Sequence, residues 1–231
     1  MPFKRVWDAS CPREYDRWEE GGVTWVIQDL PPEDDDKALT LMMNNLIPDG
    51  VLCAISELDK DPVSVSSIVK FWQRCLRQRM SLACYAVQER QSTLVALNCC
   101  IVQCAGEQGD YQIEGEAWKN VYSVLKYIGS SFDVFKYLGL DKVLYALGLV
   151  VQREYRGAKL GARLLAAREP LGLAQGIKGT ANVFTGPASQ KSAARAGFET
   201  AFQVTLKQLA DIGLKYPPDD RVIKLMVRKY I

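Results

Sequence analysis

Apolar and polar positions along this chain change period several times, and each change marks an element. Thr24 to Gln28 reads as a short strand, closed by the prolines and acids that run from Leu30 to Asp36. Acids in a first turn suit the positive end of a helix, so Lys37 to Asn45 reads as helical and Glu33, Asp34, Asp35 and Asp36 as dipole complement and solvated surface rather than a metal cluster. Between Pro62 and Arg79, the residues Val65, Ile68, Val69, Trp72, Cys75 and Leu76 recur at the offsets of one helix face. Leu82 to Gln88 and Leu94 to Val102 are strand runs joined through Glu89 to Thr93 as a hairpin, the second apolar on both faces, as an interior strand is.

Gln103 to Gly115 is polar and reads as a loop. Glu116 to Tyr137 is rich in aromatic residues and is interrupted at Gly129 to Ser131, which predicts two short helices. Val143 to Val151 is a strand, Lys159 to Ala174 a helix ended by Gly172 and Gly176, and Thr180 to Phe184 a strand. A short helix from Ala188 to Ala196 closes at Gly197. Phe198 to Leu206 and Arg221 to Lys229 then form a final antiparallel pair, linked by Lys207 to Asp220 with its Pro217-Pro218 turn. There is no internal repeat, long linker or low-complexity tract.

Composition narrows the function by exclusion. A chain of 231 residues, 48% hydrophobic, can bury a sizeable core, and residues 1–231 are read as a single domain. The net charge of +2, from 29 basic and 27 acidic residues evenly mixed, leaves no basic stripe for nucleic acid. No apolar stretch reaches bilayer length and the first residues lack a signal-peptide layout, so a cytoplasmic monomer without membrane association is expected. Seven cysteines without a CxxC pair, four of them in apolar runs, read as reduced core residues. The absence of histidine removes Ser/His/Asp hydrolysis, Cys/His proteolysis and every histidine metal site. No metal is expected.

The most informative segment is the strand ending at Val151 with the small-residue turn that follows it. Arg156, Gly157, Ala158, Lys159, Leu160, Gly161 and Ala162 give the backbone little side-chain cover, so several amides can turn toward one anion, and a helix starting there adds its unpaired first-turn donors. Arg156 and Lys159 supply counter-charge. Neither a P-loop nor a dinucleotide fingerprint is present.

This segment resembles the acetyl-CoA signature of the GCN5-related N-acetyltransferase (GNAT) superfamily, Arg/Gln-x-x-Gly-x-Gly/Ala opening a helix, with Lys159 in place of the first glycine and Gly161 and Ala162 matching. Gly197-Phe198 after the short helix matches a second hallmark. The resemblance extends to insect arylalkylamine N-acetyltransferase-like proteins through Trp25 to Leu30, Ile47 to Gly50, the Tyr155-Arg156-Gly157 turn and the run from Ser189 to Phe198, and it covers nearly the whole chain. It implies an α/β (α+β) GNAT fold: a mixed, mostly antiparallel seven-stranded sheet with helices on both faces, splayed at the acetyl-CoA site, with the cofactor-binding core at about residues 143–206.

It also implies a chemistry. The expected reaction is direct transfer of acetyl from acetyl-CoA to a small primary amine, an arylalkylamine such as dopamine, tryptamine or serotonin. The alternatives are another small nucleophile (a polyamine, agmatine, a hydrazine or an amino acid) or a catalytically impaired CoA-binding protein. Backbone groups of Leu149, Val150 and Val151 are expected along the pantetheine arm and at the thioester oxygen. Family members carry a glutamate after the Pro-Asp pair as an amine base; Gly50 stands there here, leaving Asp49, the more distant Glu57 or water. Thr185 and Ser189 match the hydroxyls near the cofactor sulfur, Ser189 also being a candidate helix cap, and Ala193 excludes a tyrosine acid at its position. No covalent acyl-enzyme is required, since holding both substrates together already removes much of the barrier.

Overall fold

The computed structural model describes residues 3–89, 91–107 and 111–230. Eight strands, β1 (Glu14–Glu20), β2 (Val23–Asp29), β3 (Leu82–Gln88), β4 (Gln91–Cys104), β5 (Lys142–Val151), β6 (Gly179–Phe184), β7 (Glu199–Thr205) and β8 (Val222–Lys229), form one sheet. Their order is β1-β2-β3-β4-β5-β6-β8-β7, and every neighbouring pair is antiparallel except β5 with β6. All seven strands anticipated above are present. The eighth, β1, lacks the apolar alternation of a half-buried strand because it is an edge that pairs only with β2.

Among the described residues, nine α-helices of five residues or more accompany the sheet: α1 (Asp35–Leu41), α2 (Val51–Ile55), α3 (Pro62–Leu76), α4 (Glu116–Ser131), α5 (Val134–Leu138), α6 (Leu160–Ala166), α7 (Arg168–Ala174), α8 (Pro187–Arg195) and α9 (Leu206–Asp211). The period-two alternation of β4 divides the core: Leu97, Cys99 and Ile101 pack on Phe71, Trp72 and Trp118 on one face, and Ala96, Cys100 and Val102 on Leu160, Leu164 and Leu171 on the other. All seven cysteines are free thiols and five are buried.

Several boundaries differ from expectation for local reasons. The helix expected from Lys159 to Ala174 is two, interrupted at Ala167, because Pro170 has no N–H to return to the carbonyl of Ala166. Gly172 lies inside α7 rather than ending it; Gly176, at φ +70°, makes the stop, with the Ile177 amide donating to the Gly172 carbonyl at 2.9 Å. The break in the aromatic segment falls at Phe132 and Asp133, where the Asp133 side chain caps α5, rather than at Gly129 to Ser131. The linker after β7 contains α9, opened by a Thr205/Gln208 capping box. Arg90, in the expected hairpin turn, and residues 108–110, in the expected loop, lie outside the described residues.

α1 does not stop at its last residue. It runs into a wide π-turn at Met42–Leu46 and a further helical turn at Ile47–Asp49, which together carry Leu46, Asp49 and Gly50 to the C-terminal end of β5. Such widened turns recur at functional sites.

Candidate active site

β5 and β6 pair only through Leu144 with Thr180 and Tyr145 with Ala181, and then diverge. Where they part, β5 carries a bulge: Ala146 and Leu149 face Cys100 and Asn98 of β4, three residues of advance against two. The displaced backbone groups are satisfied by side chains. Asn182 Oδ1 accepts from the Ala146 amide at 2.8 Å, Trp72 Nε1 donates to the Leu147 carbonyl at 2.9 Å, and Asn98 Nδ2 donates to the Gly148 carbonyl at 2.9 Å. Beyond the bulge the Gln152 amide donates to the Val95 carbonyl of β4 at 2.9 Å, so alternation turns Val150 toward β4 and the backbone groups of Leu149 and Val151 toward the opening left by β6.

The turn after β5 has the open backbone that its glycines predict. Gly157 sits at φ +91° and Lys159 at φ +60°, and the amides of Gly157, Ala158, Lys159, Leu160 and Gly161 find no acceptor among the described residues. Lys159 thus holds a left-handed conformation that suits glycine, the residue the signature has there. Gly161 marks the approach of α6 to α8, since a Cβ on it would lie 3.3 Å from Ser192 Oγ.

A cleft of about 470 Å³ fills the opening. Arg156, Gly157, Lys159, Leu160 and Gly161 line it, as do Leu149, Val150 and Val151, whereas Ala158 and Ala162 do not. Four cationic side chains, Arg156, Lys159, Lys191 and Arg195, face it against one carboxylate, that of Asp49. Lys191 and Arg195, one helical turn apart on α8, were not singled out above; their i, i+4 spacing was the available signal.

A second cavity of about 140 Å³ lies on the α3 and α4 side, walled by Phe71, Trp72, Trp118 and Tyr145. Among the described residues, no carboxylate lines it. The two cavities share Leu46, Gly50, Leu149, Thr185 and Ser189, so Thr185 and Ser189 stand at the junction. Ser189 Oγ donates to the Gly186 carbonyl at 2.9 Å; it lies in the first turn of α8 but neither begins nor caps the helix, which starts at Pro187 with Gly186 as its N-cap and no side-chain cap. Cys53 faces the smaller cavity, and burial pushes its thiol up to about 12, so it is no nucleophilic thiolate. Burial likewise raises the Tyr145 phenol.

The candidate bases are separated by the structure. Asp49 lines the larger cleft, and its carboxylate accepts from Arg153 at 2.8 and 3.0 Å and from Arg156 at 2.6 Å. Arg153 first, then Arg156, hold its carboxyl below the usual aspartate range, which makes it a weaker base than a free aspartate. Glu57 lines neither cavity and pairs with Lys60 at the surface. At Gly50 a Cβ would meet the Leu46 carbonyl oxygen at 2.7 Å, so this backbone has closed on the space a side chain would need.

No protein-family model matches the sequence, and no curated protein matches it. Solved structures do. Arylalkylamine N-acetyltransferase 7 of the yellow fever mosquito Aedes aegypti, a name given provisionally, is 28% identical over 98% of this chain and 99% of its own, with a TM-score of 0.91. Two others share the fold at 16% identity: arylalkylamine N-acetyltransferase 2 of Aedes aegypti, over 90% of this chain and 99% of its own with a TM-score of 0.77, and a Drosophila melanogaster polyamine N-acetyltransferase that forms N-acetylagmatine, over 89% and 99% with a TM-score of 0.72. The open sheet, its splay and these neighbours define an acyltransferase with the GNAT fold, a class whose donor substrate is acetyl-CoA. Within that class its neighbours include insect arylalkylamine N-acetyltransferases.

Proposed function

We propose that the protein, acting as one cytoplasmic, monomeric domain, transfers acetyl from acetyl-CoA directly to a small primary amine with an aromatic body, the arylalkylamines dopamine, tryptamine and serotonin being the first candidates. The observation that carries this reading is the meeting of a cation-lined cleft and an aromatic cavity at Leu149, Thr185 and Ser189. The unpaired amides of residues 157–161, with Arg156 and Lys159, suit a pyrophosphate, and Lys191 and Arg195 add positive charge on the facing helix. The pantetheine arm would then run along β5, pairing with the backbone of Leu149 and Val151.

In this arrangement the amine nitrogen attacks the thioester carbon, the Leu149 amide stabilises the oxyanion, and the C–N bond forms as the C–S bond breaks. Thr185 or Ser189 passes a proton to the departing thiolate. Asp49, through a water, is the one carboxylate near the path among the described residues, but its two arginine partners leave most of the proton acceptance to solvent. The rate with an alkylamine should therefore rise with pH toward the amine's own pKa. The cavity, lined by no carboxylate among the described residues, disfavours a polyamine or agmatine, whose second cation would lack a partner, and favours as a second reading a nucleophile of low basicity that is already neutral at pH 7.

A panel of amines assayed by release of free thiol tests the reading. Turnover on arylalkylamines supports it, preference for weakly basic nucleophiles supports the second reading, and tight CoA binding with no turnover on any of them refutes both. Gly161→Leu, which drives a side chain toward Ser192 and into the cleft wall, should abolish acetyl-CoA binding in calorimetry while the circular dichroism spectrum is retained; unchanged affinity would remove the phosphate-site assignment.

A further inference from the structure

Arg168, the first residue of α7, is completely buried, and no carboxylate among the described residues pairs with it. An uncompensated guanidinium in a protein core is costly, and a methionine or leucine would fill the same volume without that cost. Its hydrogen bonds show where it acts. Nε donates to Asn98 Oδ1 at 2.6 Å, one terminal nitrogen to Thr180 Oγ1 at 3.1 Å, and the other to Asn182 Oδ1 at 3.3 Å.

Asn98 is on β4, and Thr180 and Asn182 are on β6, so the guanidinium spans beneath β5, where Ala146 presents only a methyl group. Each partner then holds β5 beside its divergence from β6. Asn182 Oδ1 takes the Ala146 amide, Asn98 Nδ2 holds the Gly148 carbonyl, and Thr180 Oγ1 donates to the Leu144 carbonyl at 2.7 Å. The three points hold β5 from Leu144, before the bulge, to Gly148 inside it. Neither cavity is lined by Arg168 itself, so it reaches the site only through these residues.

We infer that Arg168 is a positioning residue that fixes the β5 bulge and the parting of β5 from β6, and thereby aims the Leu149 backbone at the acyl-pantetheine end of the cofactor. A planar fork with several donors can hold three acceptors on two strands in one geometry, which an ammonium cannot. The inference rests on acetyl-CoA occupying the splay as proposed above.

The test separates the two ends of the cofactor. Wild-type protein, Arg168→Met, Arg168→Lys and Asn182→Leu are titrated calorimetrically with acetyl-CoA and with adenosine 3′,5′-bisphosphate, a probe for the nucleotide end alone. Arg168→Met should lose tenfold or more in acetyl-CoA affinity and less than threefold for the nucleotide probe, with Arg168→Lys between it and wild type. Asn182→Leu should reproduce the same selective loss, and it carries the test if Arg168→Met does not fold. Equal losses for the two ligands, or none for either, in a folded variant would overturn the positioning role while leaving the acetyltransferase reading intact. Wild-type protein that binds no acetyl-CoA would instead overturn that reading, and this inference with it.

Discussion

At the scale of single residues, Gly50 and Asp49 bear on the proton transfer proposed above. A glutamate restored at position 50 would place its Cβ against a backbone oxygen rather than a yielding side chain. Gly50→Glu should therefore cost about 1–3 kcal/mol in chemical denaturation, as overpacking does, without raising turnover. Asp49 is paired twice but its side chain is 29% exposed, so its ion pairs should contribute less than about 1 kcal/mol. Because its folded pKa is depressed, that contribution is fully present above about pH 4, the unfolded value, and is lost as pH falls through the lower folded value. Asp49→Asn should flatten this acid-side component of the stability curve and leave the rate little changed across the pH range; a loss of about a hundredfold in kcat, with the rise toward the amine's pKa retained, would make Asp49 the main base. Lys159→Gly relieves a left-handed lysine at about 1–2 kcal/mol but adds glycine's chain entropy of about 0.5–1 kcal/mol, so the melting temperature should rise by no more than a few degrees.

At the scale of elements, the sequence was most readable where one period ran long enough to fix a face. The amphipathic α3 and the apolar β4 and β5 stood out for that reason, and the turn after β5 stood out because its glycines leave amides uncovered. Features that depend on a neighbour were invisible. β1 has no apolar alternation because only one of its edges is paired; the π-turn at Met42–Leu46 has the composition of ordinary helix; and the β5 bulge is defined by Trp72, Asn98 and Asn182 on other elements. In the site, Arg156, Lys159, Thr185 and Ser189 could be picked out from motif positions, whereas Lys191, Arg195 and Arg168 became visible only once α8 and α7 were placed against the sheet.

At the scale of the whole molecule, residues 3–13, ahead of β1, are part of the folded body. Arg5 and Asp29 are both buried and joined bidentately, and Asp29 also accepts from the Arg13 amide at 2.8 Å and the Tyr15 hydroxyl at 2.9 Å. Removing one partner leaves a buried charge, so Arg5→Ala should lose about 3–5 kcal/mol, read as a lower urea midpoint. The two chambers, meeting across a common partition, carry a different consequence. If the thioester lies against Leu149, as proposed, it forms part of the wall that the two chambers share, and the choice among nucleophiles is then made by protein and cofactor jointly. On that reading, small-molecule screens run with the polypeptide alone should rank hits differently from screens run with a non-transferable thioether analogue of the donor.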